Sequence, residues 1–216
     1  MRIRGKYFIF TAALFTAFFL WTAGVCFLDV QAIGPRGSSV GLSTMNRLFH
    51  NQTGVHMTLY TITDWLGLIP IAMAFGFAIL GLVQWVKRKH TLKVDRSILI
   101  LGGFYLLVMG AYAFFEMVVI NYRPVLIEGC LESSYPSSTT LLVLCVMPTA
   151  MLQFHSRIKN KPLRYCINGV IAVFIAFMVI GRLLSGVHWL SDIIGGTLLS
   201  LGLMMLYHAF TLREQI

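Results

Sequence analysis

The sequence has few charged residues. Only 12% of its 216 residues are Asp, Glu, Lys or Arg, whereas soluble globular domains average about 25%. Charges this sparse cannot cover a water-facing surface, which excludes an ordinary soluble enzyme. A hydrophobic share of 57% excludes a disordered chain, and four cysteines are too few for a disulfide scaffold. With these classes excluded, the composition indicates an integral membrane protein.

Long apolar runs define the predicted architecture. A transmembrane helix needs about 20 predominantly apolar residues to cross a hydrocarbon core about 30 Å thick. Six runs approach or exceed that length, at residues 7–28, 65–86, 97–120, 137–154, 165–181 and 189–210. We therefore predict an all-α fold, in which residues 1–216 form a single integral membrane domain built as a six-helix transmembrane bundle. In the longest gap, the amphipathic stretch 40–49 is a candidate for a helix lying on the membrane surface.

The basic residues predict the orientation of this bundle. Thirteen of the 17 Lys and Arg fall on one side of a six-helix alternation, at positions 2, 4, 6, 87, 88, 89, 93, 96, 157, 159, 161, 164 and 213. Cytoplasmic loops are enriched in Lys and Arg, so both termini are predicted to be cytoplasmic, in a multi-pass plasma membrane protein. The formal net charge of +9 is thus a topology signal and gives no support to nucleic-acid binding.

The opposite, extracytoplasmic side carries unusual chemistry for its size. Polar clusters lie at the ends of the predicted spans on that side. They are Arg123-Pro124, then Tyr135-Pro136-Ser137-Ser138, then Arg182 with His188 and Asp192. An ionisable group costs about 2.5–3.5 kcal/mol at the centre of a membrane helix, so such groups usually face a cavity and mark function.

Each cluster has a functional and a purely structural interpretation. His188 and Asp192 are four residues apart and share a helix face, so the carboxylate can fix the imidazole tautomer and leave one nitrogen free to attack. Arg182 is suited to bidentate binding of phosphate. Alternatively, Arg182 snorkels to the interface, His188 caps a helix, Ser137 is a plain N-cap and Arg123 is an interfacial arginine. Three clusters on one face favour phosphate binding.

The order of these motifs resembles the type 2 phosphatidic acid phosphatase superfamily. That family's signature reads Lys-(six residues)-Arg-Pro, then Pro-Ser-Gly-His, then Ser-Arg-(five)-His-(three)-Asp. The resemblance implies that His188 is the nucleophile, forming a phosphohistidine, and that Asp192 orients it. The groups implied to hold the phosphoryl oxygens are Arg123, Arg182, Ser137 and the Ser138 backbone. The family pattern implies no metal and no cofactor.

The sequence also departs from that signature. Thr139 stands where the family has the histidine that protonates the leaving group, a role worth about 10²–10⁴-fold in rate, and Ser138 and Gly181 replace Gly and Ser. A diphosphate substrate would tolerate this loss better than a monoester, because its leaving group needs less protonation. Glu116 replaces the family's Lys; it either pairs with Arg123 or Arg182 or acts as a substitute proton donor.

The functional hypothesis is therefore a membrane phosphatase whose partners are the bilayer and a lipid phosphate. The expected substrates are a polyprenyl diphosphate, such as undecaprenyl diphosphate, or a phosphatidate-like lipid presented at the outer face. The compact size and short loops are typical of bacterial members. Two alternatives stay open: a catalytically silent member that binds lipid phosphate, and a lipid transporter using the same charged cavity.

Overall fold

The computed structural model describes residues 2–89 and 94–211 and is built almost entirely from helices. Within those residues the β-structure consists of isolated bridges alone. The helices are α1 (Arg2–Phe27), α2 (Ser43–Thr53), α3 (Met57–Leu66), α4 (Leu68–Arg88), α5 (Arg96–Met117), α6 (Ser138–Arg157), α7 (Lys161–Leu184) and α8 (Leu190–Thr211). The all-α fold predicted from the sequence is confirmed.

Six segments are long and apolar enough to cross a membrane, as the hydropathy pattern predicted. Five of them begin and end within a few residues of their predicted bounds. The second is longer than predicted, because α3 and α4 together form a candidate span over Met57–Arg88 that is interrupted only at Gly67. The predicted start at residue 65 was wrong because α3 carries several threonines and an aspartate, which lower its local hydropathy. These polar residues bear on the site described below.

The gap between α1 and α4 is more structured than predicted. The amphipathic stretch 40–49 does not form one helix: Val40 pairs with Gln31 in a β-bridge, and α2 begins only at Ser43. On α2, fully buried Asn46 donates hydrogen bonds to the Gly41 carbonyl and to Ser191 Oγ, and accepts one from the Ser191 backbone N–H at 3.0 Å. A polar contact with the start of α8 thus holds this helix in place.

The two most deeply buried spans, α6 and α8, form the centre of the bundle. Their most apolar windows are 50% and 56% buried, whereas the corresponding value in each of the other four spans is 22% or less. A glycine of α8 allows close packing against the loop before α6: a Cβ on Gly195 would lie 2.5 Å from the ring of Tyr135. The Tyr135 hydroxyl in turn shares a hydrogen bond of 2.7 Å with Thr22 of α1. This packing sets the position of the loop that leads into α6.

The alternating helices bring the predicted site residues to one end of the bundle, opposite the start of α1 and the end of α8. At the opposite end, Asp95 is ion-paired with Arg88 of α4 and Arg157 of α6. The hydrogen bond from Arg88 is the main reason that the pKa of Asp95 lies below its usual value. Lys93 and Arg213, two of the cations used to predict the orientation, lie outside the described residues, and the orientation itself stays a prediction.

Candidate active site

His188 lies in the tight turn between α7 and α8. Gly186 makes this turn possible, because it has a φ of +71° and a Cβ there would overlap the Gly54 carbonyl oxygen. The imidazole is only 3% exposed. Next to it, the Trp189 indole N–H donates to the Tyr122 carbonyl at 2.8 Å, which joins this turn to the loop after α5. The predicted nucleophile is therefore held rigidly between two loops.

The partners of the two ring nitrogens define the His188 tautomer. Nε2 is 3.4 Å from Nη2 of Arg182, and Nδ1 is 3.2 Å from the Ser134 carbonyl oxygen. A guanidinium can only donate a hydrogen bond and a carbonyl can only accept one. Nε2 must therefore be unprotonated, while Nδ1 carries the proton. This is the tautomer in which Nε2 presents a lone pair for attack.

Asp192 is close to His188, but the predicted hydrogen bond between them is not formed. The distance from Nδ1 to Oδ2 of Asp192 is 3.6 Å, and the same oxygen accepts a hydrogen bond of 2.8 Å from the Trp189 backbone N–H. In the first turn of α8 the carboxylate is used to cap its own helix. The Ser134 carbonyl takes the orienting hydrogen bond, and Asp192 contributes a fully buried carboxylate beside the ring.

Two arginines approach His188 from different elements. Arg182, on the last turn of α7, is 1% exposed, and Arg123, in the loop after α5, is 9% exposed. Both guanidinium groups lie over the ring of Tyr60, at 5.0 Å for Arg182 and 5.8 Å for Arg123. Among the described residues, Nε of Arg182 and Nη1 of Arg123 are buried without a hydrogen-bond partner. These convergent donors are suited to an anion.

Each arginine has a carboxylate counterion that the sequence did not reveal. Asp64 of α3 is 3.4 Å from Nη1 of Arg182, and Glu132 is 3.0 Å from Nε of Arg123. Glu132 reaches Arg123 because the segments around them pair at an isolated antiparallel bridge between Tyr122 and Ser133, with the Arg123 N–H donating to the Glu132 carbonyl. The sequence pattern placed Asp64 in a loop and did not identify Tyr60. The one sequence signal for a site residue here is the carboxylate of Asp64 directly before an apolar run.

The arginines affect the nucleophile electrostatically. Burial lowers the pKa of His188 well below its usual value, and the charges of Arg123 and Arg182 lower it further. The imidazole is therefore neutral at physiological pH, as a nucleophile must be.

The two serines at the start of α6 lie in different surroundings. The Ser137 hydroxyl accepts hydrogen bonds from Thr140, and its backbone N–H donates to the Asp192 carbonyl at 3.1 Å. Ser137 is thus the N-cap of α6, and its role as a phosphate ligand stays a prediction. Ser138 is partly buried and lines a small cavity that also contains Glu116 and His188.

Glu116 and Thr139 occupy different surroundings. Exposed Glu116 accepts a hydrogen bond of 2.8 Å from Ser133 Oγ. Among the described residues, its predicted ion pair with either arginine is absent, because Asp64 and Glu132 take those positions. Thr139 is partly buried and faces the junction of α3 and α4, where a Cβ on Gly67 would be 3.7 Å from its methyl group.

The side chains gathered here suit an anion better than a cation. In the part of the chain that the structure describes, no three His, Cys, Asp or Glu side chains come close enough together to hold a metal ion.

Comparisons with known proteins identify the family of this chain. A family model described as the PAP2 superfamily matches residues 7–216. A curated relative, phosphatidylglycerophosphatase B of Bacillus subtilis (strain 168), is 34% identical over 107 residues, which are 47% of this chain and 48% of the relative. The match thus spans about half of that protein's length.

A solved structure shares the fold. It is described as the first transmembrane PAP2 type phosphatidylglycerolphosphate phosphatase from Bacillus subtilis; it is 19% identical, with a TM-score of 0.52, and the similarity covers 95% of this chain and 98% of that one. Since the family model covers nearly the whole sequence, this multi-pass membrane protein belongs to the PAP2 superfamily, the type 2 phosphatidic acid phosphatases that its motifs resemble.

Proposed function

We propose that the protein is a membrane lipid phosphatase that releases phosphate through a phosphohistidine at His188. One observation carries the proposal: Nε2, which holds the lone pair, is 3.4 Å from the guanidinium of Arg182, and a second buried arginine, Arg123, lies over the same tyrosine ring. Unpartnered N–H groups on both arginines are available to phosphoryl oxygens. A nucleophile and its charge-stabilising donors thus meet in one buried place.

In the first step of the proposed reaction, Nε2 attacks phosphorus, the N–P bond forms and the bond from phosphorus to the bridging oxygen breaks. The leaving lipid keeps that electron pair. Arg123 and Arg182 stabilise the charge on the three equatorial oxygens, which is the main demand of phosphoryl transfer. The Ser134 carbonyl accepts a hydrogen bond from the Nδ1–H, which keeps its proton, and the buried Asp192 carboxylate stabilises the positive charge that the ring gains.

The proposed substrate is a lipid diphosphate in preference to a monoester. Thr139 cannot act as a general acid near pH 7, and a departing phosphate needs less protonation than a departing alkoxide. The excess of Lys and Arg on the other side of the bundle favours a site that faces the extracytoplasmic leaflet. The name of the relative, phosphatidylglycerophosphatase, adds a phosphatidylglycerol phosphate monoester to the substrates worth testing.

The test is phosphate release by the purified protein in detergent. The substrates are a polyprenyl diphosphate, phosphatidic acid and phosphatidylglycerol phosphate. We expect the highest turnover with the diphosphate and a loss of at least about 10³-fold in His188→Ala, because removal of the nucleophile leaves only binding and charge stabilisation. His155→Ala is the matched control, since His155 is an exposed histidine at the far end of α6.

Other outcomes favour the alternatives. No release above His188→Ala with all three lipids would contradict the enzyme proposal. Saturable lipid-phosphate binding without release would then favour the silent binding protein, and movement of the lipid across vesicles without release would favour the transporter.

A further inference from the structure

Asp64 and His188 contact the same arginine, Arg182, from different sides. Arg182 directs Nη2 toward Nε2 of His188 and Nη1 toward Oδ1 of Asp64, with 3.4 Å for each pair. His188 and Arg182 are almost fully buried, whereas the Asp64 side chain is 56% exposed. The guanidinium thus separates a buried nucleophile from a carboxylate that water reaches.

This arrangement suits an in-line displacement. The attacking and departing atoms lie on opposite sides of phosphorus, so water must approach a phosphoryl group on Nε2 from the side away from His188, and Asp64 is the carboxylate across Arg182 from that ring. Thr139 faces this region too, because its methyl group is near Gly67, which lies one helical turn after Asp64. A threonine hydroxyl cannot take up a proton near pH 7, but a carboxylate can.

We propose that Asp64 is the general base that hydrolyses the phosphohistidine, an inference that rests on the proposed function. A water molecule attacks phosphorus from the side of Asp64, the O–P bond forms and the P–Nε2 bond breaks. Nε2 takes back its electron pair and His188 returns to the neutral state. The water proton passes to a carboxylate oxygen of Asp64 and from there to solvent, to which the side chain is open.

Glu132 and Glu116, two other carboxylates at this end, are placed differently. Glu132 makes the shorter ion pair, 3.0 Å, with Arg123, and the backbone pairing of its own segment holds it there, so it positions that arginine. Glu116 is hydrogen-bonded to Ser133 and contacts neither arginine as an ion pair within the described residues. Asp64 alone of the three is paired with the arginine that touches Nε2.

The test follows a radiolabelled terminal phosphate of polyprenyl diphosphate in full-length protein, quenched in alkaline detergent to preserve phosphohistidine. In Asp64→Asn we expect steady-state release to fall by at least about 10²-fold, while label accumulates on the protein toward one phosphate per chain. Asp64→Ser, a second variant that also lacks the carboxylate, is expected to trap the same label. Glu132→Gln is the matched control, expected to raise KM without trapping label.

Three results would overturn the assignment while wild-type turnover persists. The first is phosphate release by Asp64→Asn at the wild-type rate. The second is slow release by both Asp64 variants without more protein-bound label than in the wild type. The third is as much protein-bound label in Glu132→Gln as in Asp64→Asn. A lower KM with unchanged kcat in Asp64→Asn would show that Asp64 is only a counterion of Arg182. If the wild-type protein neither releases phosphate nor takes up label, the proposed function itself fails, which distinguishes the two failures.

Discussion

At the scale of single residues, the site depends on which groups already have partners. The Ser134 carbonyl accepts the hydrogen bond from the His188 imidazole, while the nearer Asp192 oxygen accepts one from the backbone N–H of Trp189, and the role of Asp192 in orienting His188 stays a prediction. Ser137 is likewise engaged as an N-cap. Both arginines of the site keep buried N–H groups without a hydrogen-bond partner among the described residues, and the proposed chemistry uses these groups.

The pH dependence of activity tests the electrostatics of His188. Burial and the charges of Arg123 and Arg182 hold its pKa well below its usual value, so the neutral nucleophile persists as the pH falls through about 6.5. We therefore expect the acid limb of the pH profile, where kcat/KM falls as the pH is lowered, to lie below that pH. Arg123→Gln removes one of the charges that lower the pKa, so its acid limb should move to higher pH.

The substrate also titrates, but it does so identically with every variant. A difference between the pH profiles of two variants therefore comes from the enzyme. Arg47→Gln is the control, because Arg47 is an exposed arginine on α2, and its acid limb should match that of the wild type. An acid limb of Arg123→Gln that stays in place or moves to lower pH would contradict the role assigned to Arg123.

At the scale of elements, α2 supports the start of α8. Fully buried Asn46 makes three hydrogen bonds, two of them to Ser191, which is next to Asp192. Asn46→Ala leaves the Ser191 N–H buried without this partner, a penalty of about 1–3 kcal/mol in the free energy of unfolding. We expect a lower midpoint of thermal unfolding in detergent, together with reduced phosphate release, because α8 carries the site in its first turn.

The control for this change lies on the same helix. Gln52 is exposed, so Gln52→Ala should leave the midpoint near that of the wild type. Equal midpoints for Asn46→Ala and Gln52→Ala would show that α2 does not support α8.

The elements also show how far the sequence predicts this fold. Apolar runs predicted all six spans, since a membrane helix must be apolar along its whole length. The position of α3 could not be predicted in this way, because Tyr60 and Asp64 face the site and lower the hydropathy of their own segment. The pairing of Arg182 with Asp64 depends on helix packing across 118 residues, and the pairing of Arg123 with Glu132 depends on how the loop between α5 and α6 folds; periodicity records neither.

At the scale of the whole molecule, charge is divided between two ends. Among the described residues, the end where α1 begins and α8 ends has most of the Lys and Arg, and the other end has the arginines of the site. The exposed Cys130 lies in the loop between α5 and α6, at the end with the site. If that end faces outward, a membrane-impermeant maleimide should label intact cells that express the wild-type protein, and Cys130→Ser should lose this labelling.

An inner-loop cysteine provides the complementary control. Lys159→Cys introduced into the Cys130→Ser chain should react only after the membrane is permeabilised, because residue 159 lies between α6 and α7. Labelling of Lys159→Cys in intact cells, with none at Cys130, would reverse the predicted orientation.

The most direct test of the central claim is to locate the phosphoryl group on the protein. After alkaline quench during turnover, peptide mapping of the labelled chain should find phosphate on His188, bonded at Nε2. Nε2 faces Arg182, whereas Nδ1 is directed at the Ser134 carbonyl. Phosphate on another residue, or at Nδ1 of His188, would contradict the account.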